Sequence, residues 1–206
     1  MHNDWRLQRE GFTLVELLVV VGLFLVLVGG LLTLFLIGRT SYLSADASTL
    51  VQQESRQAFD NMVRELREAG PANQIGTTPL PNGTVQLNFQ IVRGYNQAGC
   101  PQVCWGSEQA LGEWVHYAII DAPTNTRQLI RCTNTSQSGA ITAFGANCRV
   151  MANNIRHPNQ TGTNAFIYAP GVVTVNLEIQ YQSPMLPNGG QTTGVLTSAV
   201  KLRNTS

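Results

Sequence analysis

The feature that most constrains this chain is the run at residues 17–37, LLVVVGLFLVLVGGLLTLFLI, in which no residue is charged. A helical membrane span needs roughly 20 apolar residues, and this run supplies them. An ordinary secretory signal has a shorter apolar region, about 7–15 residues, followed by a small-residue cleavage site. Ahead of the run lie a polar segment with Arg6 and Arg9, and then Glu16 directly at its edge. A charge deep in a span costs roughly 2.5–3.5 kcal/mol on insertion scales, and less near an interface. A plain membrane anchor therefore leaves Glu16 without a purpose.

Beyond residue 37 the pattern becomes amphipathic. Leu43, Ala47, Leu50, Val51, Ala58, Met62, Leu66 and Ala69 recur at helical spacing, with Glu54, Arg56, Asp60, Arg64, Glu65, Arg67 and Glu68 between them. No Pro occurs between Phe12 and Gly70, and Gly70-Pro71 is a stop signal. One helix over this interval would be about 85 Å long at 1.5 Å per residue. No single small domain accommodates that length, so the first half must meet lipid or other subunits while the second packs its apolar stripe. Gly29-Gly30 is the weakest point of the helix, at about 1 kcal/mol per Gly relative to Ala. It is the expected place for bending, or equally for close helix packing in a membrane.

The remainder reads as strands. Residues 84–92 place Val85, Leu87, Phe89 and Ile91 on one face; residues 114–120 do the same for Val115, Tyr117 and Ile119. Residues 127–132, 172–182 and 195–204 continue the series, and PMLPNGGQ at 184–191 reads as the hairpin connection of the last two strands. Alternation of this kind predicts an antiparallel sheet with one wet face, His116 lying on that face, and the helix stripe covering the other. The fold class is α+β, a long N-terminal helix packed on an antiparallel β-sheet.

Composition removes several function classes. A formal net charge of +1 with 12% charged residues gives no basis for a nucleic-acid footprint. Arg93, Arg127, Arg131, Arg149 and Arg156 are dispersed along the sequence. No G-x-S-x-G, H-E-x-x-H, P-loop or dinucleotide fingerprint occurs. Neither catalysis nor a cofactor is expected. The cysteines, Cys100, Cys104, Cys132 and Cys148, predict disulfides in an exported domain, with three pairings open. A metal site is disfavoured because Cys132 and Cys148 form no ligand-pair motif. The segment from Tyr95 to Trp114 reads as a disulfide-stapled loop between strands, with recognition, which surface loops often carry, as the second reading.

The block at residues 11–16, GFTLVE, resembles the class III signal of type IV prepilins and type II secretion pseudopilins. The resemblance implies that a prepilin peptidase cuts after Gly11 and methylates the new amine of Phe12, the apolar run being kept as the N-terminal helix. Glu16 then becomes the fifth residue of the mature chain. A buried carboxylate is tolerable only when paired, and the family pairs it with a neighbouring subunit's N-terminal amine, which sets the axial register. Glu10 departs from the pattern, since the family more often has a basic residue before the Gly.

The implied organisation is a leader over 1–11, a transmembrane and filament-core helix over 12–38, an amphipathic half over 39–70, and a β-rich periplasmic or extracellular domain over 71–206. Residues 115–133, VHYAIIDAPTNTRQLIRCT, resemble PilW-type minor pilins and PulJ-type minor pseudopilins. So do VMANNI at 150–155 with VVTVNLEIQYQ after it, and SAVKLRN at 198–204. That likeness implies a minor pilin helping to initiate a type IV pilus at or near its tip, anchored in the bacterial inner membrane and later displayed at the cell surface. Its implied partners are prepilin peptidase, other minor and major pilins, the inner-membrane assembly platform, and membrane lipid before assembly. DNA or a surface is the candidate tip ligand, through the 95–114 loop or the 133–165 stretch. The rivals are a minor pseudopilin of a type II secretion system and a single-pass anchored periplasmic binding domain that is never cut.

Overall fold

The computed structural model describes residues 13–121, 127–156, 164–182 and 191–202. Gly11 and Phe12, the expected cleavage and methylation positions, lie outside the described residues, as does most of the 184–191 connection. The chain divides into two units, one ending at Ala45 and one running from Asp46.

One helix, α1 (Leu14–Arg67), runs without interruption through Gly29 and Gly30. Its start is capped by Thr13. The Thr13 carbonyl accepts the first intrahelical bond from Leu17 N–H at 3.2 Å, and its Oγ1 accepts from Glu16 N–H at 3.3 Å. Threonine followed three residues later by glutamate is the spacing of a capping box, a reading of the T-L-V-E block that sequence inspection missed. The helix ends by tightening: Glu68 and Ala69 N–H bond to the carbonyls of Glu65 and Leu66. Gly70 N–H then turns to Gln90 O at 2.9 Å, and Arg64 and Arg67 in the last turn complement the helix dipole.

In the first unit the side chains of the apolar run are exposed, and this helix is long and apolar enough to cross a membrane. In the second unit, three antiparallel sheets follow, and one stripe of the remainder of α1 packs into their core. Strands β1 (Ile75–Pro79), β2 (Val85–Phe89), β5 (Trp114–Asp121), β6 (Arg127–Asn134) and β7 (Cys148–Ala152) form a five-stranded sheet in the order β1-β2-β5-β6-β7. Strands β8 (Phe166–Ala169), β9 (Val172–Gln182) and β10 (Gln191–Lys201) form a second in the order β10-β9-β8. Strands β3 (Ile91–Gln97) and β4 (Cys100–Gly106) make a two-stranded ribbon. A long N-terminal helix followed by antiparallel sheets is the α+β, type IV pilin-like arrangement.

The core lies between helix and sheets. Ala58, Met62, Leu66 and Ala69 of the helix segment and its end pack with Leu87, Phe89, Val115, Tyr117, Ile119 and Leu129 of the five-stranded sheet, and with Val173, Val175, Leu177 and Val200 of the second. The Phe89 and Tyr117 rings stack with centroids 6.0 Å apart. Each fully buried Leu, Phe or Met contributes roughly 1.5–3 kcal/mol, so this stripe is what holds the helix on the sheet.

Four expectations are corrected. Leu50, placed on the stripe by spacing, is 59% exposed; Val51, Ser55, Phe59 and Val63 occupy that side instead, with Ser55 Oγ donating to Val51 O at 2.7 Å. The strand at 84–92 breaks at Gln90, whose N–H bonds to Gln74 O and whose carbonyl accepts from Gly70, so the chain leaves one sheet and enters the ribbon. The 95–114 segment is not a loop: most of it is the β3–β4 ribbon. The face expected to be wet is covered, because the chain after β6 folds back over it. There Leu80, Ala118, Ile120, Ile130 and Cys132 form a second cluster, with Ile141 and Cys148 packed on it.

Candidate functional site

Glu16 stands in the first turn of α1 with its side chain exposed. Thr13 Oγ1 holds its backbone N–H, so the carboxylate is presented from an ordered helix start. A negative charge there is favoured by the helix dipole. Gly29 and Gly30 lie in open space, with no heavy atom within 4 Å of a Cβ added at either. Thr33 Oγ1 donates back to the Gly29 carbonyl at 2.9 Å, a local bond of the kind that eases bending.

The second half of α1 is locked to the sheet by charge as well as by packing. Arg131 of β6 is 2% exposed, and its Nε lies 2.9 and 3.1 Å from the two Glu65 carboxylate oxygens. Tyr117 OH donates to the same carboxylate at 3.1 Å, Arg149 reaches it at 3.5 Å, and Arg131 Nη2 pairs with Glu108. Burial works against the Arg131 charge, but Glu65, Tyr117 and Glu108 together outweigh it and raise its pKa. Burial first and the Glu65 charge second push the Tyr117 phenol up. Farther along, Asn153 Nδ2 donates to Glu54 at 2.7 Å. In the sequence Glu54 and Glu65 are interleaved with the apolar positions; in the fold they are the polar docking points of the helix.

His116, expected on a wet face, is 0% exposed. Its Nε2 lies 2.9 Å from Asn134 Oδ1, and its Nδ1 lies 2.8 Å from Asn88 Oδ1 and 2.9 Å from Gln86 Nε2, so both ring nitrogens sit in a polar network. Gln86 also binds the Gly139 carbonyl at 2.9 Å and accepts from Ile141 N–H at 2.8 Å. The alternating polar residues of β2 and β5 thus hold the segment folded over the sheet. Burial lowers the His116 pKa, and the Asn134 bond opposes that.

The cysteines pair locally, Cys100 with Cys104 and Cys132 with Cys148. The first bridge lies within β4 of the ribbon. The second joins opposed residues of β6 and β7 and closes the segment that covers the His116 face.

The prokaryotic N-terminal methylation motif matches the chain over residues 6–32. No curated protein and no solved structure matches the chain. The matched interval includes Gly11, Phe12, Glu16, Gly29 and Gly30. The chain therefore carries a prepilin-type methylation motif at the head of a type IV pilin-like α+β arrangement, which points to a structural subunit rather than an enzyme.

Proposed function

We propose that this protein is a minor pilin of a type IV pilus, cut by prepilin peptidase after Gly11, methylated on Phe12, and built into the filament at or near its tip. The observation that carries the reading is the methylation motif at residues 6–32 leading, in one uninterrupted helix, into a domain that grips the helix through Glu54 and Glu65. In the membrane the run at 17–37 faces lipid; in the filament it faces other pilins. Glu16, presented at a capped helix start, pairs with the methylated amine of a neighbouring subunit, neutralising both charges and setting the register. The assembly platform and the other minor and major pilins are its partners. A minor pseudopilin of a type II secretion system uses the same physics in another machine.

Gly11→Ala is the test. It is expected to leave residues 1–11 attached and the chain in the inner membrane. Normal maturation of that variant would refute the assignment. Glu16→Ala should be cut normally yet enter filaments poorly, and unchanged incorporation would contradict the pairing.

A further inference from the structure

A free strand edge exposes unpaired N–H and C=O groups, and natural sheets blunt such edges with short strands, charge, Pro or bulges. Most edges here are blunted. Strand β1 ends at Pro79 after five residues, and β8 has only four. Strand β7 is short, carries Arg149, and joins β6 through a register shift. The β3–β4 ribbon has two register shifts, with Arg93 and Pro101 in its strands.

Strand β10 has none of these devices. It runs for 11 residues without Pro, pairs with β9 without a shift, and holds its one charge at the last position, Lys201. Among the described residues a strand lies on one side of it only. Thr193, Val195, Thr197 and Ala199 share its exposed face, with Val195 66% exposed. Beside the strand, Gln52 and Arg56 of α1 line a groove with Gly194, Val195 and Leu196.

We infer that the free edge of β10 receives a strand from a different polypeptide of the same assembly. Backbone hydrogen bonds along about 37 Å of edge, at about 3.4 Å per residue, would supply the affinity. The groove fits an extended segment that is uncharged apart from a carboxylate or amide oxygen facing Arg56. This choice of partner rests on the pilin reading. A second copy of β10 brings no carboxylate to set against Arg56, its one charge being Lys201, and the blunted edges disfavour head-to-tail addition of a second copy.

The test places a photo-crosslinking amino acid at position 195 of the full chain in its native cells, with a control at position 167, an exposed residue of β8. Cross-linked peptides are sequenced together with the N-terminal peptide. The expected result is an adduct from position 195, and not from 167, to an extended segment of one other subunit that is uncharged apart from a carboxylate or amide facing Arg56. Gln191→Lys and Thr197→Lys together should lower that yield about tenfold while leaving the thermal midpoint unchanged. Adducts only to a second copy would overturn the choice of partner, and no adduct from processed, assembled protein would overturn the site. A chain still carrying residues 1–11 but cross-linked at 195 would count against the pilin reading and in favour of the edge.

Discussion

Replacing Arg131 by Met tests how the helix is held on the sheet. The substitution removes a buried cation and leaves Glu65, 12% exposed, with Tyr117 OH and the outlying Arg149 as partners. Removing one member of a buried pair typically costs about 3–5 kcal/mol, because the remaining charge stays desolvated. The contacts left to Glu65 place this case at the lower end, about 3 kcal/mol. For a domain of this size that corresponds to a fall in Tm of about 6–12 °C. The triple variant Glu65→Met, Arg131→Met, Tyr117→Phe removes the charges and the phenol together, and should return to within about 1 kcal/mol of the parent. Urea unfolding of the full chain in detergent, followed by near-UV circular dichroism, gives both numbers. A loss below about 1 kcal/mol for Arg131→Met, or a triple variant no more stable than the single one, would refute the docking role of the pair.

Three further outcomes are expected. Opening the Cys132–Cys148 bridge by paired Ala substitution should cost about 3 kcal/mol, from its sequence separation of 16, and opening Cys100–Cys104 less, because the loop it closes is short; paired urea midpoints check the order. His116 has a folded pKa below its unfolded value of about 6.5, so its contribution is complete above that value and is lost as pH falls through it. Protonation makes both ring nitrogens donors, so Gln86 Nε2 has no acceptor left in the ring and the 139–141 segment that Gln86 holds loosens. The urea midpoint should therefore drop between pH 7.5 and 5.5, and His116→Phe should flatten that part of the profile. Gly29→Ala with Gly30→Ala meets open space and should stiffen the helix by about 1 kcal/mol per site; slower hydrogen exchange at residues 29–34 in detergent checks it.

The helix was legible because apolar spacing and the absence of Pro act locally, and β5 and β9 were legible for the same reason; the last strand, expected over 195–204, runs from Gln191 to Lys201, because its polar first residues, Gln191 to Thr193, pair with β9 although they carry no apolar signal. Strands β1, β7 and β8 are too short for periodicity to show, and the bulged ribbon β3–β4 hides its alternation behind two register shifts. His116 and Gln86 read as wet because alternation reports that two faces differ, not what covers each; the chain after β6, stapled by Cys132–Cys148, decides that. The docking role of Glu65 was hidden for a similar reason. Its partners, Tyr117 and Arg131, lie 52 and 66 residues away. The capping geometry at Thr13 and Glu16 was readable from the T-L-V-E spacing, and was overlooked beside the processing motif that shares those residues.

The most direct measurement is the mass of the N-terminal peptide of native protein, taken separately from membranes and from sheared surface filaments. A peptide beginning at methylated Phe12 in both fractions, and scarce in the filaments, is the expected result for a processed minor pilin. A peptide retaining residues 1–11, found in membranes alone, would contradict it and make residues 17–37 an uncut anchor.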